Sequence, residues 1–243
     1  MTKKYKIAGR VIEISSLYKR VHDYSKDYET DEPADFSVVI SEEDIIHEKE
    51  MTDSEFIYEV KPIQQFSNQA LEISAVYRKI GEIMPRYDTV IFHGSAVAVD
   101  GQAYLFTAAS GTGKSTHTRL WREYFGDRAV MVNDDKPMLK ITGTGATVYG
   151  TPYNGKHHLG SNISVPLKAL CILTRSDKNS IVRIDKSDAY AMLLQQVYRP
   201  KDLLQMANTL DLVDRLAENI KLYRLACNTD AEAAEVAYNG MKG

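Results

Sequence analysis

The sequence predicts an α/β fold: a mixed β-sheet with helices packed on it, and a small N-terminal α+β portion. Three observations predict it. Two apolar runs, Thr89 to Val99 and Gln102 to Thr107, are joined by Asp100-Gly101, a dipeptide favoured in two-residue hairpin turns. A glycine-bearing segment then leads directly into an amphipathic stretch from Ser115 to Phe125. Beyond it, apolar runs of strand length alternate with helix-period segments up to the C-terminus.

Taken in order, residues 4 to 15 alternate in two phases, Tyr5 and Ile7 in one and Ile12 and Ile14 in the other, which predicts one strand with a bulge near Gly9. Lys19 to Pro33 and Ser41 to Ser54 crowd charges around short apolar pieces such as 36–40, predicting short strands and exposed connections. His22 and His47 lack partners at ligand spacing and are expected at the surface. Asn68 to Met84 repeats Leu71, Ala75, Val76, Ile80 and Ile83 at three- and four-residue intervals, a helix that Pro85 helps to stop. A soft boundary near residue 88 separates a 1–88 portion, expected to pack on the core, from an 89–243 core.

Within that core Thr89 to Val99 reads as one strand. If Val99 faces Gln102, His93 falls opposite Ala108, where it is either structural or placed to act at the following loop. The helix from Ser115 puts Leu120, Trp121, Tyr124 and Phe125 on one face, and Gly126 suits its end. Arg128 to Val132 is a buried-strand run that delivers Asn133, Asp134 and Asp135. Val165 to Leu173 and Ser180 to Ile184 read as strands. Ser187 is the expected cap of a helix from Asp188 to Tyr198 with Ala191, Leu194 and Val197 inward, ended by Arg199-Pro200. Leu203 to Glu218 reads as helix, Leu222 to Cys227 as strand and Ala231 to Tyr238 as a closing helix.

The 243 residues are 44% hydrophobic and 26% charged, with a net charge of -3, which fits a soluble globular protein and offers no basic surface for nucleic acid. Cys171 and Cys227 form no CxxC or Cys/His pattern, so neither a zinc site nor a disulfide framework is expected, and a cytoplasmic setting fits. The N-terminus lacks an apolar stretch of signal-peptide length, and no membrane span is expected. Whether the chain forms a homo-oligomer is left open.

The chemistry concentrates in Ala108-Ala109-Ser110-Gly111-Thr112-Gly113-Lys114-Ser115, which matches GxxxxGK[ST] except that Ala108 stands at the first glycine. A strand, a glycine loop and a helix N-terminus in that order gather unpaired amides and the helix dipole around an anion. Ser110, Gly111, Thr112, Gly113, Lys114, Ser115 and Thr116 are therefore the expected binding residues for a polyphosphate. Asp134 and Asp135 repel each other unless something compensates, and Mg²⁺ is the natural partner. Ser115 with one aspartate, assigned as Asp135, holds the metal in this reading; either acid is open as the base. In the glycine-rich stretch 150 to 163, Tyr153, Asn154, Lys156 and His157 either contact the acceptor or belong to a polar loop between strands. Arg199 is either a transition-state charge stabiliser or a solvated side chain.

The order His93-Gly94, hairpin, Ser110 to Thr116 and a closely following Asp-Asp pair resembles HPr kinase/phosphorylase and its relatives, and the SGTGK core also resembles phosphoenolpyruvate carboxykinase. Both belong to one P-loop kinase superfamily, and the resemblance spans His93 to Leu173 and, more weakly, the remainder to the C-terminus. It implies ATP and Mg²⁺ as ligands, Lys114 on the phosphates, Ser115 on the metal and Asp134 or Asp135 as base. The segment from Gly150 to Gly160 lacks the glutamate-arginine-glycine stretch of HPr kinases, so HPr is not the expected substrate. The chain is also too short for the carboxykinases' extra pocket. The implied relatives are HPr-kinase-like peptide-tailoring kinases. The expected function is transfer of the ATP γ-phosphate to a hydroxyl, serine or threonine of a peptide or small protein. The alternatives are a kinase of a small-molecule alcohol and a non-catalytic nucleotide-sensing regulatory protein.

Overall fold

The computed structural model describes residues 1–58, 62, 64–155 and 157–243. The chain forms two units, Met1–Glu82 and Ile83–Gly243. In the first, β1 (Thr2–Ile7) and β2 (Arg10–Ser15) are antiparallel, with Tyr5 opposite Ile12. Ala8 and Gly9 turn between them at φ 50° and 74°. The change of phase is thus a chain reversal and not a bulge, since two successive left-handed residues make the turn that matches strand twist.

After α1 (Arg20–Tyr24), β3 (Phe36–Val39) adds parallel to β2, followed by α2 (Glu42–Tyr58) and α3 (Asn68–Ile83). Two expectations fail here. His22 is buried, because Tyr5 Oη and Ser16 Oγ each lie 2.7 Å from one of its ring nitrogens. The segment from Ser41 is helical because Ser41 and Asp44 cap it reciprocally, and three acids, Glu42, Glu43 and Asp44, occupy its first turn. Lys79 and Arg78 on α3 then pair with Asp44 and Glu48 at 2.7 Å. Charge, not an apolar stripe, fixes α2, so periodicity overlooks it.

The second unit is a mixed α/β assembly around one sheet. Its elements are β4 (Thr89–Ile91), β5 (Ser95–Val99), β6 (Gln102–Thr107), α4 (Lys114–Phe125), β7 (Ala129–Asn133), β8 (Met138–Ile141), β9 (Ala146–Tyr149), β10 (Ser164–Arg175), β11 (Ser180–Ile184), α5 (Lys186–Gln196), α6 (Leu203–Asn219), β12 (Lys221–Cys227) and α7 (Glu232–Met241). The strand order is β4-β8-β9-β10-β6-β5-β7, and β12 joins β10 to β11. β10 changes partners along its length: Ser164 to Pro166 pair antiparallel with β9, and Ala169 to Arg175 pair parallel with β12. The hairpin is interior, β5 lying between β6 and β7, and β6 between β5 and β10.

Alternate residues of the central strands feed two cores. Ala96, Ala98, Ala103, Leu105, Leu170 and Ile172 meet Leu193 of α5 and Leu212, Val213 and Leu216 of α6. Val97, Val99, Tyr104, Phe106, Cys171 and Leu173 meet Trp121 of α4 and Ala233, Ala237 and Met241 of α7. Burial on both faces explains the unbroken apolar runs.

The hairpin register runs from Val99↔Gln102 to Ser95↔Phe106, with Asp100 and Gly101 at φ 51° and 76°. The run 89–99 nevertheless makes two strands, not one. A Cβ on Gly94 would lie 2.9 Å from Leu105 Cδ1 and 3.0 Å from the Phe106 carbonyl, so the chain passes tightly there, and β4 leaves to pair with β8. Tyr124 is exposed, while Leu120, Trp121 and Phe125 are buried. α5 begins at Lys186 with Asp185 rather than Ser187 at the N-cap position, and its inward face differs from the expected one: Ala189 and Leu193 are buried, Ala191 is exposed and Val197 lies past the helix. Strands β8 and β9 lie in a stretch that the sequence reading leaves without elements. Both thiols are free. No described helix is long and apolar enough to cross a membrane.

Candidate functional site

β6 ends at Thr107 and α4 begins at Lys114, so residues 108–113 form a short loop emptying onto a helix N-terminus. Gly111 and Gly113 sit at φ 75° and 123°, which side chains rarely adopt, so the loop follows a backbone path open to glycine. The loop is braced from outside by Arg175 at the end of β10, whose Nη2 donates to the Gly111 carbonyl at 2.5 Å. Ser95 Oγ and Thr118 Oγ1, 3.0 Å apart in the interior, tie β5 to α4. Lys114 Nζ donates to the Ala108 carbonyl at 3.2 Å. Burial lowers the pKa of its ammonium, and the charge of Asp135 opposes this.

The acids are aimed by Asn133. Its Oδ1 accepts from the amides of Asp135 and Lys136 at 2.9 and 2.7 Å, while its Nδ2 donates to Thr151 Oγ1 at 3.1 Å. This Asx-type turn ends β7 and sends the two carboxylates to different surroundings. Asp135 lies 3.4 Å from His93 Nε2. Burial works to raise its pKa, but the His93 hydrogen bond and the charges of Lys136 and Lys114 prevail and hold it below the ordinary carboxylate range. Asp134 is buried and accepts from the Gly155 amide at 2.6 Å. Here burial prevails over the amide hydrogen bonds, and its pKa is raised. Gly155 can approach this closely because it has no side chain: a Cβ there would lie 3.2 Å from Asp134 Oδ2.

Two cavities flank the start of α4. One, of about 430 Å³, is lined by Ser115, Thr116, Thr118, Arg119, Arg122, Asp134, His157 and Leu159. The other, of about 670 Å³, includes Gly111, Thr112, Gly113, Thr116, His117, Arg175, Cys227 and Asn228 in its wall. Ser110 is exposed at the loop tip. Of the predicted residues, Lys114, Asp135 and His93 thus share one neighbourhood, and Ser115, Thr116, Asp134 and His157 share the smaller cavity.

Tyr153 is buried and its carbonyl accepts from Asn133 Nδ2 at 3.4 Å, while the Asn154 amide group packs on Gly160; neither lines the cavity. Lys156 lies outside the described residues. Arg199 is exposed, next to a segment in which the Gln196 carbonyl accepts from the His93 amide at 2.7 Å. Among the described residues no group of three or more His, Cys, Asp or Glu side chains is placed to hold a metal.

The sequence reading misses Asn133, Arg119, Arg122 and Arg175. The pair on α4 has a signal, since Ser115, Arg119 and Arg122 stand at i, i+4 and i+7 and share a helix face. Asn133 looks like any polar residue at a strand end, and Arg175 reaches the loop only through tertiary structure.

The model of a family described as "SynChlorMet cassette protein ScmC" matches residues 56–231. No curated protein matches the sequence. A solved structure of the Hpr(Ser) kinase/phosphatase from Coxiella burnetii is similar at 14% identity and a TM-score of 0.32, covering 63% of this chain and 99% of that one.

Proposed function

The chain belongs to the family described as SynChlorMet cassette protein ScmC, and for this member we propose an ATP- and Mg²⁺-dependent kinase with a P-loop core, acting on a hydroxyl acceptor, serine or threonine of a peptide or small protein. The observation that carries this reading is the separation of the two acids. Adjacent carboxylates whose surroundings push their pKa values apart are suited to different tasks. Asp135, held ionised beside Lys114 and His93, serves the phosphate end. Asp134, raised by burial and facing the cavity that also contains Ser115, serves the acceptor.

In this role the amides of the loop and of the first turn of α4 bind phosphate oxygens, and Lys114 exchanges the Ala108 carbonyl for the terminal phosphates. Ser115 and Asp135 would hold Mg²⁺, which when bound supplies neutralising charge on the phosphate oxygens. The donor set suits it, being hydroxyl and carboxylate oxygen. The acceptor oxygen bonds to the γ-phosphorus as the bond to the bridging oxygen of ADP breaks. Asp134 takes the hydroxyl proton. His93 fixes the orientation of Asp135.

The test is incubation with γ-labelled ATP, Mg²⁺ and a serine-containing peptide library. Label is expected on peptide with the wild-type protein and is expected to vanish with Asp134→Asn. Label appearing only in free phosphate, undiverted by any acceptor, would overturn the proposal in favour of simple hydrolysis.

A further inference from the structure

The 430 Å³ cavity has a cationic wall that the transfer chemistry leaves unused. Arg119 and Arg122 line it together with His157 and Asp134. Arg119 is engaged by Glu123 at 2.6 Å. Arg122 differs: its Nε is buried without a hydrogen-bond partner among the described residues. A guanidinium carries five donors in a rigid fork matched to carboxylate or phosphate oxygens, and a buried donor left unmatched carries a desolvation cost. The spacing gives the fork a direction. Ser115 and Arg122 are separated by about 10 Å along the axis at ~1.5 Å per residue, and helical side chains lean back toward the N-terminus, bringing the guanidinium nearer Ser115.

We propose that the acceptor carries an anionic group, carboxylate or phosphate, within a few bonds of the reacting hydroxyl, and that Arg122 receives it while the hydroxyl faces Asp134. This rests on the kinase reading for the identity of the acceptor, but the anion site itself stands on the cavity. Arg122 is a binding and specificity residue in this arrangement. His157 closes the wall from the segment after Gly155.

Two experiments separate the levels. Calorimetric titration of the protein with succinate, against neutral succinamide, reads the anion site without turnover. Saturable succinate binding is expected, weakened at least about tenfold in Arg122→Gln and only partly restored in Arg122→Lys, which keeps the charge but lacks the fork, with helix content by circular dichroism confirming that the variants fold. Equal responses to succinate and succinamide, or unchanged succinate binding in Arg122→Gln, would overturn the site. The second experiment compares phosphate transfer to serine peptides flanked by Asp/Glu or by Asn/Gln, and to glycerol 3-phosphate or glycerol. The charged member of a pair is expected to react at least about tenfold faster, and the pair that shows the preference identifies carboxylate or phosphate. Equal rates within both pairs sink the acceptor assignment. Succinate binding that depends on Arg122, with no transfer to any acceptor and no affinity for a fluorescent ATP analogue, would uphold the anion site and place the failure in the kinase reading.

Discussion

Each unit has a buried polar cluster, and the two differ in where their hydrogen bonds end. In the first unit His22 is matched at both ring nitrogens by Tyr5 and Ser16. The Glu72 carboxylate, fully buried, accepts the amides of Leu17 and Tyr18 at 2.5 and 3.0 Å. That cluster closes on itself. In the second unit Asn133 is equally well matched and Asp134 also accepts an amide, from Gly155, but Asp134 lines a cavity while Asp135 meets His93 and the charge of Lys114. Polar groups satisfied by the chain add stability and specify packing, whereas groups aimed at a space are available for a ligand. Burial alone does not separate the two cases, for Glu72 is more buried than Asp134.

The comparison can be broken by substitutions whose effects cross over. The largest effect is expected for Lys114→Ala, which should reduce phosphate transfer by about 10³-fold or more and weaken ATP binding. The thermal midpoint should barely move. Asp134→Asn comes next, with a loss of about 10²–10³ in turnover and near-normal nucleotide affinity. In the wild type, the acid limb of the rate profile should fall at a pH above the ordinary carboxylate value, since the base must be ionised and burial raises its pKa.

Glu72→Ala leaves two amides without their acceptor and should destabilise the first unit by about 3 kcal/mol, read by denaturant titration, with transfer per folded molecule unchanged. A stability loss without a rate loss at Asp134, or the reverse at Glu72, would erase the distinction.

The smallest effect is a pH slope. Burial pushes the His117 pKa down to about 4, and its Nε2 accepts from Trp121 Nε1 at 3.0 Å, so the native state holds this ring neutral. An unfolded chain binds that proton near pH 6.5. Stability is therefore full above that value and declines as pH falls toward about 4. Thermal scans should show a midpoint falling by several degrees over that window, with a shallower slope in His117→Gln.

What the sequence displays and what it hides follow from the range of the interactions. The hairpin, the loop and α4 are legible because each is local: Asp100-Gly101 sets a register, and Gly111 and Gly113 sit where only a strained turn needs them. The Ala8-Gly9 turn has nearly the same backbone but lacks the side-chain signature, so it passes for a bulge. Helix α2 is held by end charges and by pairs to α3, neither of which has a period. At the site, Lys114, Ser115 and the acids stand out by type, while the opposite aims of Asp134 and Asp135 depend on Thr151 and Gly155, partners that no pattern around β7 announces.

The change of partner along β10 bears on how the molecule is made. β6, from which the anion loop hangs, is flanked by a strand synthesised some sixty residues later, and that strand in turn waits for β12 near the C-terminus. Contacts so distant in the chain close late. A nascent chain that has emerged only through α4 already carries every loop residue, yet has only β5 beside β6, so competence for a ligand arrives once β10 and β12 have been made rather than with the motif itself.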